Sequence, residues 1–140
     1  MPRHSLVIDH VGLAVADLEA SVDFFSRLLG QPPSHRERVP SDAVEVAFFE
    51  LGPSSVELLA STDPDSSMAR FLNTRGPGLH HVGYLVPDLE AELRRWVSWG
   101  AELVDQRPRV GARGRLVAFV HPHSAQGVLT ELCQLAPGAR

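Results

Sequence analysis

Lysine is missing from this chain, since all 13 basic residues among its 140 residues are arginine. Its absence excludes Schiff-base catalysis and the lysine of a phosphate-binding loop. Any anionic ligand must therefore be held by arginine, histidine or backbone N–H groups. Four arginines lie close together in the sequence, at Arg107, Arg109, Arg113 and Arg115. These four form either a solvated loop or an anion-binding element.

Cysteine and long apolar runs are equally scarce. The lone Cys133 cannot form an internal disulfide, and its apolar neighbours predict a small buried side chain. No run approaches the roughly 20 apolar residues of a membrane span, and the N-terminus shows no signal-peptide core. The net charge of −4 provides no field that favours nucleic acid or an anionic membrane. We therefore expect a cytoplasmic protein with neither partner.

A stretch of strand and helix occurs twice. The run IDHVGLAVADLEASVDFFSRLLG from Ile8 to Gly30 returns as LHHVGYLVPDLEAELRRWVSWG from Leu79 to Gly100. Each copy begins with the β-branched and apolar residues that are typical of a buried strand. An aspartate N-cap, apolar residues at helical spacing and a closing glycine then predict a helix. Superposition of the two copies places His10 on His81.

The remaining segments predict three further strands in each copy. These strands are expected at 34–39, 43–51 and 55–60, and near 102–105, 116–121 and 128–135. Residues 64–76 between the copies predict a linker helix. The resulting plan is two tandem βαβββ modules, at about 5–62 and 78–136. Because four strands alone bury little surface, we expect a single α+β domain over residues 1–140.

Each copy also carries a histidine in its first strand and a glutamate in its last. The pairs are His10 with Glu57 and His81 with Glu131, at similar separations along the chain. A carboxylate in the middle of an aliphatic strand is costly to bury without a partner. A single histidine or glutamate is usually structural, but the recurrence of all four favours a shared role. Two imidazoles and two carboxylates suit a divalent ion such as Co²⁺, Mn²⁺, Ni²⁺ or Zn²⁺.

Longer motifs carry a resemblance to a known family. They are IDHVGLAVADLEASVDFF, FFELGPSSVELL, FLNTRGPGLHHVGYLV and PRVGARGRLVAFVHPHSAQGVLTEL, which together span about Ile8 to Gln134. On these motifs the chain resembles the methylmalonyl-CoA epimerases of the vicinal oxygen chelate superfamily, which also contains glyoxalase I. The resemblance implies that the two modules curl into one cup of eight strands around a metal ion. It also implies a homodimer and an acyl-CoA thioester substrate.

The resemblance further implies a set of metal ligands and a reaction. The ligand positions of the family correspond to His10, Glu57, His81 and Glu131, the same four that the repeat indicates, and Co²⁺ is the ion expected first. The family inverts C2 of methylmalonyl-CoA by a 1,1-proton transfer through an enolate. Inversion requires stabilisation of the enolate charge and acid–base groups on both sides of the carbon. Glu131 resembles one of the two family bases.

The second base is expected on the third strand, where this chain lacks the QGV motif of some bacterial family members. Its sequence there is SDAVEVAFF, and Glu45 is the nearest carboxylate. Depending on the alignment of the turn, Glu45 either takes the base position or lies one residue away from it. A slip of one residue turns a strand side chain to the other face of the sheet.

Substrate contacts are expected from the run PRVGARG and the loop HPHS. The predicted residues are Arg109, Gly111, Gly114 and His123. His123 stands where the family usually has a lysine, and Ala60-Ser61 replaces the usual Glu-Pro. These departures leave the identity of the preferred acyl-CoA open.

Two other functions use the same superfamily fold. A glyoxalase-I-like lyase or isomerase would act on a thiol hemithioacetal with the same kind of four-ligand metal site. A binding protein of the bleomycin-resistance type needs no metal ligands, so the complete set of two histidines and two glutamates disfavours it. A ring-cleaving dioxygenase uses two histidines and one glutamate, and the fourth ligand here disfavours that function.

Overall fold

The structure, a computed structural model, describes residues 6–138. The start of the predicted first module, at about residue 5, and both ends of the predicted domain lie outside the described residues. The chain divides into two compact units. The N-terminal unit is His10–His80, and the C-terminal unit consists of the described parts of Met1–Asp9 and His81–Arg140.

Strands with a helix on one side build the N-terminal unit. Its elements are β1 (Val7–Ala14, which begins in the other unit), α1 (Leu18–Leu29), β2 (His35–Val39), β3 (Val44–Leu51), β4 (Ser54–Ser61) and α2 (Ser67–Arg75). The strand order is β2-β3-β4-β1, in which β1 runs parallel to β4 and the other neighbours are antiparallel. The linker helix α2 begins later than predicted because Ser66 caps it, its Oγ accepting the N–H of Ala69 at 3.1 Å.

The C-terminal unit repeats this plan. Its elements are β5 (Gly78–Leu85, which begins in the other unit), α3 (Leu89–Ser98), β6 (Arg109–Val110), β7 (Leu116–Val120) and β8 (Thr130–Gln134). The order β5-β8-β7-β6 again contains one parallel pair, β5 with β8, while the other neighbours are antiparallel. The element order is therefore βαβββ in the C-terminal unit, and βαβββ followed by the linker helix α2 in the N-terminal unit.

The helices α1 and α3 begin as the repeat predicts. Asp17 accepts the N–H of Ala20 and Asp88 accepts the N–H of Ala91, each at 3.1 Å. These contacts satisfy backbone donors that have no partner within the helix. Gly30 ends α1 with a left-handed φ of 70°. Among the described residues, no helix is both long and apolar enough to cross a bilayer.

Each of these helices covers one face of its own strands. In the N-terminal unit, Leu18 and Val22 of α1 pack with Ala47, Phe49 and Leu58 of β3 and β4. In the C-terminal unit, α3 packs in the same way through Leu89 and Leu93, and the strands contribute Ala118, Val120 and Leu132. Because strand side chains alternate between faces, the residues between these core positions lie on the opposite face.

One predicted strand is wrong. Within residues 102–105, Leu103 forms only an isolated bridge with Val120, and the short edge strand is β6 instead. A strand does not form here because the N–H of Phe119 in β7 donates to a side chain, Asp105 Oδ2, at 2.9 Å. This bond takes the place of the backbone hydrogen bond that a neighbouring strand would make. The Arg109 Nε donates to Asp105 Oδ1 at 3.1 Å, which holds the start of β6 beside this carboxylate.

Candidate active site

The histidine and the glutamate of the N-terminal unit lie together on one face of the sheet. The β1–β4 register places Gly12 opposite Glu57, and His10 lies two residues before Gly12 on the same face. Glycine has no side chain, which leaves space for the carboxylate. His10 Nε2 and Glu57 Oε1 are 3.5 Å apart, and the two residues are only 3% and 4% exposed. This side of the strands, opposite α1, is called the histidine face below.

The C-terminal unit presents an equivalent pair. The β5–β8 register places Gly83 opposite Glu131, with His81 two residues before Gly83 on the same face. His81 is 3% exposed and Glu131 is 9% exposed. The face opposite α3 is therefore the histidine face of this unit. The repeat thus extends beyond the residue types to the strand register around them.

Each pair is accompanied by a phenylalanine that the sequence did not single out. The antiparallel registers pair Phe48 with Glu57 and Phe119 with Glu131. The ring of Phe48 lies edge-on to that of His10 at 6.2 Å, and the ring of Phe119 lies edge-on to that of His81 at 5.5 Å. Neither phenylalanine was predicted, because only the strand register shows that each lies beside the glutamate of its unit. An aromatic edge restricts the rotation of each imidazole.

The donor atoms of these pairs fit a divalent transition ion. Imidazole nitrogen and carboxylate oxygen are ligands of Zn²⁺, Co²⁺, Ni²⁺ and Mn²⁺. Two ligands bound to one tetrahedral ion at about 2.1 Å lie roughly 3.4 Å apart. The separation of 3.5 Å between His10 Nε2 and Glu57 Oε1 matches that geometry. Burial of both residues also favours a site from which most water is excluded.

Glu45 lies on the opposite side of β3 from these residues. Its register partner in β4 is Ala60, which belongs to the core under α1. The Glu45 carboxylate faces Arg36 at 3.7 Å, and Arg36 Nη1 also donates to Glu19 Oε1 of α1 at 3.0 Å. The hydrogen bond from Arg36 holds the pKa of Glu19 below its ordinary value. The register therefore places the side chain of Glu45 on the face opposite the histidine face.

A different acid–base pair lies on the histidine face of the N-terminal unit. The β2–β3 register pairs His35 with Phe48 and Glu37 with Val46, so both side chains share the face of Glu57. His35 Nε2 is 2.7 Å from Glu37 Oε1, and the His35 ring lies 6.1 Å from that of Phe48. Sequence reasoning missed this pair because only the strand register reveals its face.

Arg109 lies on the histidine face of the C-terminal unit. Its register partner is Val117, which shares a face with Phe119. The guanidinium carbon lies 5.8 Å from the centre of the Phe119 ring, while Nε is bound to Asp105. Cation–π contact and the carboxylate together orient the guanidinium. Arg109 is thus the predicted substrate residue that the structure brings to the face of Glu131.

Gly111 and Gly114 shape the turn that follows Arg109. A Cβ on Gly111 would approach Val117 Cγ2 to 2.9 Å, and Gly114 has a left-handed φ of 68°. The arginines of this turn reach Asp9, since Arg113 Nη2 donates to its Oδ2 at 2.8 Å and Arg115 donates to its Oδ1. Both guanidinium groups are therefore bound by a buried carboxylate. The predicted glycines are needed for the path of the backbone.

His123 lies away from Glu131. Its Nε2 pairs with Glu102 Oε2, and its side chain lines a cavity of about 810 Å³ together with Tyr84, Trp96 and Trp99. Tyr84 and Trp96 pack with the core under α3, so the cavity borders the helix face of this unit. The structure does not bring the predicted substrate residue His123 together with Arg109 on the histidine face.

Comparison with known proteins assigns the family. Residues 9–119 match the model of the glyoxalase/bleomycin resistance protein/dioxygenase superfamily. The ethylmalonyl-CoA/methylmalonyl-CoA epimerase of Cereibacter sphaeroides is 36% identical over 131 residues, which cover 91% of this chain and 97% of that protein. The chain belongs to the methylmalonyl-CoA epimerase family of this superfamily. The predicted family is thereby confirmed.

Solved structures of this family share the fold. The methylmalonyl-CoA epimerase of Mycobacterium tuberculosis superposes with a TM-score of 0.91 at 37% identity, over 98% of this chain and 94% of that one. A single-residue variant of the Streptomyces coelicolor epimerase, in complex with 2-nitronate-propionyl-CoA, has a TM-score of 0.91 at 31% identity over 96% of this chain and 97% of that one. The predicted α+β fold class of this superfamily is confirmed.

Proposed function

We propose that this chain is a metal-dependent epimerase that inverts C2 of methylmalonyl-CoA or a close 2-substituted malonyl-CoA. The observation that carries the proposal is the buried histidine and glutamate pair, which recurs with the same strand register in each unit. Binding proteins of this fold need no such pair. The epimerases from Cereibacter sphaeroides and Streptomyces coelicolor support the acyl-CoA class of substrate.

We assign one divalent ion to His10, Glu57, His81 and Glu131, with Co²⁺ the first candidate and Mn²⁺, Ni²⁺ or Zn²⁺ the others. When bound, such an ion supplies Lewis-acid stabilisation of negative charge. The support for the ligand set is the chemistry of the donors and their burial. The phenylalanine beside each histidine keeps the imidazole in one orientation, which reduces the entropy lost when a ligand binds.

Glu131 is proposed as the base for one side of the substrate carbon. A C–H bond between a thioester and a carboxylate is weakly acidic, and a positioned carboxylate can accept its proton. Glu131 is held by pairing on both sides of β8, with Gly83 in β5 and Phe119 in β7. Its position on a central strand makes it rigid, which a proton transfer requires.

The His35–Glu37 pair is proposed as the acid–base group for the other side, in place of Glu45. An imidazole can accept or donate a proton near neutral pH, and the Glu37 carboxylate at 2.7 Å orients the ring. Both side chains lie on the histidine face but are separated from Glu57 by the strand that carries Phe48. The pair can therefore transfer protons without being a ligand of the ion.

Arg109 is proposed to hold the carboxylate or the phosphate groups of the substrate. The chain has no lysine for this purpose, and arginine binds such anions through two parallel hydrogen bonds. The Nε bond to Asp105 and the contact with the Phe119 ring hold the guanidinium of Arg109 in an orientation suited to an anionic group on the histidine face. Its position above Phe119 places it on the same face as Glu131.

Inversion in deuterated water tests the proposal. Protein loaded with Co²⁺ should convert one epimer of methylmalonyl-CoA to the other and introduce deuterium at C2, as read by mass spectrometry and chiral analysis. Turnover of a thiol hemithioacetal without any exchange in methylmalonyl-CoA would instead assign the chain to glyoxalase chemistry. The absence of both reactions, with tight binding of an apolar ligand, would support a binding protein.

We also propose that the chain acts as one domain and forms a homodimer in the cytoplasm. The exposed apolar side chains of Phe24 and Leu28 on α1 support an association surface. Sedimentation equilibrium should give twice the mass of the chain. A monomer at micromolar concentration would contradict the proposed dimer.

A further inference from the structure

A second cluster of metal-ligating side chains lies in the C-terminal unit, away from the histidine face. Glu102, His121 and His123 each offer one ligand atom, and these three atoms lie within 4.8 Å of one another. None of the three was predicted as a metal ligand. His123 is the position at which this chain departs from the lysine that is usual in the family.

The backbone around the cluster is tied together by hydrogen bonds. The N–H of His121 donates to the carbonyl of Glu102 at 2.9 Å, and the N–H of Glu102 donates to Ser124 Oγ at 2.8 Å. Pro122 begins a short 3₁₀ turn over residues 122–124, which projects His121 and His123 on the same side. The three ligands therefore start close together, so little conformational entropy is lost when they bind one ion.

The side chains already form the contacts that an ion would replace. The His121 and His123 rings lie 3.8 Å apart between centres, and His123 Nε2 is hydrogen-bonded to Glu102 Oε2. An ion at this position replaces this hydrogen bond at Nε2, and the neutral ring of His123 then carries its one proton on Nδ1. His121 Nδ1 accepts the N–H of His123 at 3.3 Å. This hydrogen bond is long, so little free energy is lost if His121 changes tautomer and the bond breaks.

We propose that Glu102, His121 and His123 form a second, surface-exposed site for a divalent ion of the Zn²⁺, Ni²⁺ or Cu²⁺ class. Two imidazole nitrogens and one carboxylate oxygen match the preferences of these ions, and water completes the coordination. The side chains of His123 and Glu102 are 62% and 60% exposed, so the ion can enter directly from solvent. The bound ion links the 3₁₀ turn to the segment that follows α3. This inference does not depend on the proposed epimerase activity.

The tryptophans provide a local reporter for the site. The chain contains two, Trp96 and Trp99, and both line the cavity that His123 also borders. Cu²⁺ and Ni²⁺ quench indole fluorescence at short range, so occupancy should lower the emission of the protein. This readout is separate from catalysis and from any ion on the histidine face.

Titration with Ni²⁺ tests the proposal in the folded protein. Wild type should show saturable quenching at micromolar Ni²⁺, and His123→Lys should raise the apparent Kd more than tenfold. That variant places an ammonium group beside Glu102 and removes the imidazole ligand. His121→Asn should have an effect of similar size, while Glu102→Gln should weaken binding several-fold because the amide keeps one oxygen donor.

Variants in the other pairs separate the two sites. The double variant His10→Asn, His81→Asn should keep the Ni²⁺ quenching of wild type, even if it loses any ion on the histidine face. Circular dichroism should show that all variants are folded. Unchanged quenching in His123→Lys, or binding by wild type only at millimolar Ni²⁺, would overturn the second site.

Discussion

The two units share a buried pair but differ in the group on the far side of the phenylalanine. In the N-terminal unit, the Phe48 ring lies between His10 and the ring of His35, at 6.2 and 6.1 Å. In the C-terminal unit, Phe119 lies next to His81, and its other neighbour is the guanidinium of Arg109 at 5.8 Å. The same scaffold thus presents a titratable imidazole in one copy and a permanent cation in the other.

This difference separates two parts of the proposed chemistry. The duplicated residues, a histidine and a glutamate in each unit, are assigned to one ion. The residues that are not duplicated distinguish the roles of the units, because His35 can exchange a proton and Arg109 cannot. Substitutions at equivalent positions of the two units should therefore have unequal effects.

The largest expected contrast is between the two glutamates. Glu131→Gln should lower the rate of C2 inversion by about 10³-fold, because the amide cannot accept the substrate proton. Glu57→Gln is the matched variant, since it keeps an oxygen ligand at the equivalent register position, and it should lose less than about tenfold in rate. Both rates are measured on protein saturated with Co²⁺. Equal losses in the two variants would contradict the assignment of the base to Glu131.

The next contrast concerns proton transfer without inversion. His35→Asn should lower inversion by about 10²-fold, while one epimer still exchanges its C2 hydrogen with deuterated water through Glu131. Glu37→Gln should act in the same direction with a smaller loss. Glu45→Gln, on the opposite face of the same sheet, is the control and should behave as wild type.

The ratio of exchange to inversion distinguishes the possible failures of this prediction. A His35→Asn variant with a wild-type ratio would remove the His35–Glu37 pair from the proposal while leaving the epimerase function intact. A wild type that shows neither exchange nor inversion would instead refute the function itself.

The turn after Arg109 provides a test of stability. Asp9→Asn should lower the free energy of unfolding by about 3 kcal/mol, because it leaves Arg113 and Arg115 without their buried carboxylate. Chemical denaturation of the metal-free protein measures the change. Asp23→Asn, at an exposed position of α1 in the N-terminal unit, is the control and should change stability by less than about 0.5 kcal/mol.

The smallest expected effect is on substrate affinity. Arg109→Gln should raise KM for the acyl-CoA about tenfold, which corresponds to about 1.4 kcal/mol, with little change in kcat. Arg107→Gln removes an exposed arginine two residues earlier and should leave KM unchanged. If both variants raise KM equally, the arginines at 107–115 act as a diffuse positive surface, and Arg109 makes no specific contact with the substrate.

The sequence predicted the parts of the structure that depend on local chemistry. The aspartate caps, the glycine end of α1 and most strands follow from residues that are neighbours in the chain. The histidine and glutamate pairs were predictable because the duplication repeats them in register. The edge strand β6 was not predictable, because the carboxylate of Asp105 accepts the N–H of Phe119 in place of a backbone carbonyl.

Residues whose role depends on strand register were beyond the sequence. Glu45 and Glu37 are both carboxylates near the first turn, and only the β2–β3–β4 pairing shows which of them shares a face with Glu57. A shift of one residue exchanges the two faces, and composition carries no information about that shift. Phe48 and Phe119 were missed for the same reason.

The stoichiometry of Co²⁺ binding tests most directly whether the duplicated pairs share one ion. The measurement is equilibrium dialysis in a His123→Lys background, which removes the surface site proposed above. We expect one Co²⁺ per chain, and we expect His10→Asn and His81→Asn each to weaken the binding of that single ion by at least tenfold. Two ions per chain, with each histidine variant losing only one of them, would contradict a shared site.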